Sequence, residues 1–104
     1  MTNSRIQFLK ALVEKNPNNP LGRYGLANEY FKLGMYEEAI EEVNSYLALQ
    51  NDEGAVYRML GEALLKLGRK EEAKEAYRKG IQTAERYGHP GMVEEFEDAL
   101  EHIS

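Results

Sequence analysis

Residues 20–53 read PLGRYGLANEYFKLGMYEEAIEEVNSYLALQNDE, and residues 54–87 read GAVYRMLGEALLKLGRKEEAKEAYRKGIQTAERY. Laid together without gaps, they share eight identities: Leu26/Leu60, Lys32/Lys66, Leu33/Leu67, Gly34/Gly68, Glu37/Glu71, Glu38/Glu72, Ala39/Ala73 and Glu41/Glu75. Ala27 and Gly61 are both small, and Leu47 and Ile81 are both apolar. A fixed period means that each copy is one supersecondary unit, burying its apolar face by stacking on the next.

Each copy divides at its glycine into two helical stretches. In the first, Tyr24, Leu26, Ala27, Tyr30, Phe31 and Leu33 recur at helical spacing; after Gly34, the set Tyr36, Ala39, Ile40, Val43, Tyr46 and Leu47 does the same. Alternation by two and β-branched enrichment, which strands need, are both missing. Asn19 before Pro20 predicts a cap followed by a proline at the first helical position. Gly34 and Gly68 predict left-handed turns between paired helices, and Asn51 and Asp52 offer a cap for the second copy.

The flanks continue the phase. Residues 4–16 present Ile6, Leu9, Leu12 and Val13 on one face, and NPNNP follows, like the second helix of an incomplete preceding unit. Gly88, His89 and Pro90 interrupt the chain. Met92, Phe96, Ala99, Leu100 and Ile103 then make one stripe on a last helix, opposite Glu94, Glu95, Glu97, Asp98 and Glu101. A polar-backed final helix covers the bare apolar end of a helix-pair array, so it reads as a cap.

Composition narrows the function classes. The chain has 104 residues, 42% hydrophobic and 30% charged, with no cysteine, which excludes a disulfide scaffold, a thiolate metal site and cysteine nucleophiles. A mean hydropathy of -0.63 and the lack of a long apolar run argue against a membrane span. MTNSRIQFLK carries no secretory pattern, so a cytoplasmic location is the expectation. The net charge of -5 resolves into blocks: +2 over residues 1–19, -5 over 20–53, +3 over 54–87 and -5 over 88–104. Such blocks are ordinarily solvated helix faces, although an acidic block can also meet a basic block of another molecule.

The period of 34 residues, with Leu26, Ala27, Tyr30, Gly34, Tyr36, Ala39 and Leu47 in one copy and Tyr57, Leu60, Gly61, Leu64, Gly68, Ala73, Tyr77 and Ile81 in the other, resembles the tetratricopeptide repeat family. The resemblance covers residues 20–87 as two complete repeats. It implies an all-α, right-handed α-α superhelix of antiparallel helix pairs. One domain over residues 1–104 is expected, with an N-terminal half-repeat helix in 4–19, repeats 20–53 and 54–87, and a capping helix in 90–103, five helices in all. Three departures stand out. Tyr46 is large where the family commonly has alanine. Asn51 and Glu85 replace the usual closing proline, so the second helix of each pair is expected to run longer. Gly22, Gly25 and Gly80 lie inside helices, each costing about 1 kcal/mol relative to alanine, so the first repeat is expected to be the more mobile.

The resemblance also implies function: a non-enzymatic scaffold or adaptor whose first helices line a concave groove for a partner peptide or helix. On that face lie Tyr24, Asn28, Phe31 and Lys32 from the first repeat, and Arg58, Glu62, Leu65 and Lys66 from the second. They offer a ring for apolar anchoring, an amide for a backbone and a guanidinium for a carboxylate. Against this, Phe31 and Leu65 also suit packing between helices, and Lys32 and Lys66 suit plain solvation. The family's clamp for a terminal carboxylate is not supported, because Tyr24 stands where a lysine would be and a third complete repeat is lacking.

Other chemistries find little footing. His89 and His102 are thirteen residues apart, and zinc needs three or four convergent ligands, so no metal or other cofactor is expected. Glu37/Glu38 and Glu71/Glu72 begin helices, where the dipole favours them without acid–base work. LGMYEE and LGRKEE lack a phosphate-loop pattern, and no small-molecule substrate is implied. Arg69, Lys70, Lys74, Arg78 and Lys79 are interleaved with Glu71, Glu72 and Glu75 and lack an aromatic platform, which disfavours nucleic acid. The alternative to an adaptor is a self-associating homo-oligomer, with acidic residues 37–42 of one copy on basic residues 69–79 of another. A third reading, a segment of a longer array, would expose Ile6, Phe8 or Leu9.

Overall fold

The computed structural model describes residues 4–103 as six helices: α1 (Ser4–Lys15), α2 (Pro20–Lys32), α3 (Tyr36–Leu49), α4 (Ala55–Lys66), α5 (Lys70–Arg86) and α6 (Pro90–Glu101). Two pairs and one helix in each flank make six, one more than the expected total of five, which undercounted the elements named for it. The helices fall into two compact units, Met1–Asn51 and Asp52–Ser104. In the first, α1 and α3 both pack on α2; in the second, α4 and α6 both pack on α5.

Local chemistry sets the boundaries. The Asn19 side chain accepts a hydrogen bond from the Leu21 amide at 3.0 Å and Pro20 opens α2. Of the two capping residues expected before α4, Asp52 does the work: its carboxylate accepts from the Gly54 and Val56 amides at 2.9 and 3.0 Å. Gly34 and Gly68 both take φ +76°, the left-handed turn that joins the helices of each pair. The longer second helix is found in α5, with 17 residues; α3 has 14 and stops at Leu49.

The first core joins Ile6, Leu9 and Val13 of α1 to Leu26 and Tyr30 of α2 and Ala39 of α3, with Phe31 packed against it. Leu12, expected on the same face of α1, is exposed, as is Phe8, whereas Ile6 and Leu9 are buried. In the second unit, Phe96 of α6 is completely buried, its ring 5.7 Å from that of Tyr77.

The glycines inside helices have a different meaning from the one propensity suggests. A Cβ on Gly80 would lie 2.7 Å from the Phe96 ring, and one on Gly61 2.5 Å from Tyr77 Cζ. On α2, a Cβ at Gly25 would lie 3.2 Å from Leu9 and one at Gly22 3.4 Å from Val13. These positions are contact points for neighbouring helices, and their lost helix propensity accompanies closer packing.

Candidate functional site

The eight expected binding residues form two sets of four, one on α2 in the first unit and one on α4 in the second. On α2, the half-buried Tyr24 ring meets Tyr46 of α3 edge-on, with centroids 5.1 Å apart and planes at 66°. Tyr46 is itself buried, and its hydroxyl accepts from Gln50 Nε2 at 3.1 Å. The large residue at this position therefore serves as a backing plate for Tyr24. One turn along, Asn28 is half-buried, and its amide makes no hydrogen bond among the described residues. Phe31 is held edge-on against Tyr36 at 5.6 Å, so its ring is shared between core and surface. Lys32 is exposed.

The same side of α2 carries Arg23, whose Nη1 donates to Glu42 of α3 at 2.9 Å, while its buried Nε has no partner among the described residues. This pair was not singled out from the sequence. The signal was present in the repeat alignment, where Arg23 and Glu42 align with Tyr57 and Ala76 and so depart together.

On α4, Arg58 is already engaged. Its Nε and Nη2 donate to the two carboxylate oxygens of Glu95 on α6 at 2.5 and 2.7 Å, and its guanidinium lies 5.9 Å from the centre of the Phe96 ring. A planar fork on a carboxylate, backed by an aromatic face, is a favourable setting for arginine. Arg58 holds the Glu95 pKa below its ordinary value, chiefly through the hydrogen bond and against a smaller opposing effect of burial. The Tyr77 phenol is pushed up, first by burial and then by Glu62 and Glu95. Glu62 and Lys66 are exposed, and Leu65 is half-buried.

The two histidines do not meet. His89 Nε2 lies 3.0 Å from Glu53, and His102 Nδ1 lies 2.8 Å from the Asp98 carbonyl, which raises the His102 pKa together with the nearby Asp98 charge. The basic stripe on α5 is offset within its own helix: Arg69 pairs with Glu72, Lys74 with Glu71 and Arg78 with Glu75. Among the described residues, no helix is long and apolar enough to cross a membrane. These faces carry a supported aromatic ring one turn from an open amide on α2, and on α4 a guanidinium forked onto Glu95 near the buried Phe96 ring of α6.

Comparison with known proteins agrees with this architecture. Tetratricopeptide repeat models match residues 6–60 and 54–87. The chain is 34% identical over 70 residues to the small glutamine-rich tetratricopeptide repeat-containing protein 2 of Mycosarcoma maydis, a match covering 67% of this chain and 20% of that protein. It therefore spans about a fifth of that relative's length. The solution structure of a Bordetella parapertussis protein superposes with a TM-score of 0.82 at 21% identity, covering 99% of this chain and 89% of that one, which shows a shared fold. The fold class is all-α, built from antiparallel helix pairs of the α-α solenoid type. With one family model spanning more than half of its residues, the chain belongs to the tetratricopeptide repeat family.

Proposed function

We propose that the chain is a non-enzymatic adaptor that takes a partner peptide or helix on its first-helix faces: Tyr24, Asn28, Phe31 and Lys32 on α2, and Arg58, Glu62, Leu65 and Lys66 on α4. Tetratricopeptide repeats generally mediate protein–protein interaction and are typically non-enzymatic scaffolds. The observation that carries the reading is the Asn28 amide, half-buried one turn along from the braced Tyr24 ring and without a hydrogen-bond partner among the described residues. The amide presents both a donor and an acceptor, and an extended peptide backbone offers the complement of each. Arg58 adds a cation whose carboxylate is supplied by the chain's own Glu95 until a partner competes for it.

Self-association through residues 37–42 and 69–79 has less support, because much of that charge is paired within the chain: Glu42 with Arg23, and Arg69, Lys74 and Arg78 along α5. The test is affinity capture from native lysate with the wild type and a Tyr24→Ala, Asn28→Ala, Arg58→Ala variant of equal helicity. Loss of a specific partner from the variant supports the adaptor reading. Undiminished capture moves the site off these faces.

A further inference from the structure

The 34-residue period places α1 on α3, with Phe8 at the position of Glu42 and Leu12 at that of Tyr46. In α3 those two positions face the first helix of the pair: Glu42 bonds Arg23, and Tyr46 meets Tyr24. In α1 they hold apolar side chains, and both are uncovered, Phe8 61% and Leu12 43% exposed. Leu12 and Lys15 also border an open groove of about 440 Å³ with Leu21 and Gly22. By its register, then, α1 is a second helix whose first-helix side stands bare.

The other end of the chain is the converse. Helix α6 follows α5, a second helix, and packs on it through Phe96. Along its flank, Pro90, Val93, Glu94 and Glu97 line a groove of about 460 Å³ that also includes His89. The charges are opposite: α1 carries Arg5, Lys10 and Lys15 against one acid, Glu14, whereas α6 carries four glutamates, one aspartate and no base.

We propose that α1 of one copy docks along the acidic flank of α6 of a second copy. Phe8 and Leu12 cover Pro90 and Val93, while Lys15, on the same face of α1, lies toward Glu94 and Glu97. The interface is heterologous, since each copy presents two different ends, and it builds open chains instead of closing as a symmetric dimer. It goes beyond the adaptor reading and leaves the α2 residues Tyr24 and Asn28 out of the contact.

Sedimentation and light scattering on the whole chain test this. Mass should rise with concentration past the dimer at about 0.1 M salt and fall back toward the monomer at about 1 M, as the screening length shrinks from roughly 10 to roughly 3 Å. A Phe8→Ser, Leu12→Ser variant and a Glu94→Lys, Glu97→Lys variant, all at exposed positions, should each be monomeric. Mixed, they should form a one-to-one dimer and nothing larger, because each keeps one intact end. Helicity by circular dichroism accompanies every measurement. Should the first variant unfold, Lys15→Glu replaces it, with the same mixing result expected. A wild type that stays monomeric at every concentration overturns the proposal. So does self-association of the Glu94→Lys, Glu97→Lys variant, which would mean symmetric pairing of α1 faces.

Discussion

The two units are built from the same repeat but completed from opposite sides, and their glycines record which side. In the first, the additional helix α1 precedes the pair and lies on α2, where Gly22 and Gly25 receive Val13 and Leu9. In the second, the additional helix α6 follows the pair and lies on α5, where Gly80 receives Phe96. The aligned positions in the other copy are large: Val56 and Met59 opposite Gly22 and Gly25, and Tyr46 opposite Gly80. The fit also differs in kind. A Cβ added at Gly22 or Gly25 would meet the tips of aliphatic side chains at 3.2–3.4 Å, whereas one added at Gly80 would meet the edge of a fully buried ring at 2.7 Å. The repeat thus fixes the helix pair, while these positions at which the two copies differ are shaped by the helix each unit receives.

If the second unit is the more tightly interlocked, the largest effect belongs to the ring itself. Phe96→Ala should cost about 3–5 kcal/mol, because it empties a site of zero exposure walled by Tyr77 and Gly80. Leu9→Ala in the first unit should cost about 2 kcal/mol, the lower end for such truncations, since the exposed Phe8 and Leu12 beside it can settle inward. Urea unfolding gives the totals, and hydrogen exchange resolved by residue shows which unit loosens. Equal losses for the two variants would break the distinction between them.

A smaller effect is expected where the two pairs differ at their own crossing. Ala27 and Val43 in the first copy align with Gly61 and Tyr77 in the second, an exchange in which the small residue shrinks as its neighbour grows. Gly61→Ala alone should destabilise by about 1–3 kcal/mol through overpacking against the Tyr77 ring. Combining it with Tyr77→Val, which rebuilds the first unit's pair, should cost less than the sum of the single changes. A double-mutant cycle by chemical denaturation measures that coupling. Strict additivity would mean the ring simply moves aside.

Much of this was legible from residue spacing alone. The period follows from laying two 34-residue stretches together, and the Asn19 cap, the left-handed Gly34 and Gly68 and the buried Phe96 follow from patterns a few residues long. What escaped was pairwise. Gly25 and Gly80 look like propensity penalties until the side chains they receive, Leu9 and Phe96, are located in space. Arg58 looks like an open guanidinium until Glu95, 37 residues away, is found to occupy it. Leu12 fits the apolar stripe of α1, but the stripe is wider than the one face that α2 covers. Local pattern specifies helices and their ends, whereas the partner of a side chain depends on a crossing angle that no single helix encodes.

The smallest expected effect concerns that fork, and its sign can be worked out. Arg58 lowers the Glu95 pKa in the folded chain relative to an unfolded carboxylate. The ion pair therefore contributes stability that is fully present above the unfolded value, about 4.3, and is lost as pH falls through the lower folded value. Both side chains are more than two-fifths exposed, so solvent screening holds the contribution to under about 1 kcal/mol. Glu95→Gln should accordingly lower the thermal midpoint slightly at pH 7, and the gap to the wild type should close at pH values below the folded pKa. The Arg23–Glu42 pair of the first unit is less exposed, 22% and 16%, and Arg23 already leaves one buried nitrogen unbonded. Glu42→Gln should therefore cost more at pH 7 than Glu95→Gln, since a less solvated guanidinium loses its counter-charge. If the exposed fork proves the more costly of the two to break, α6 is anchored by charge at Arg58 as much as by the ring at Gly80.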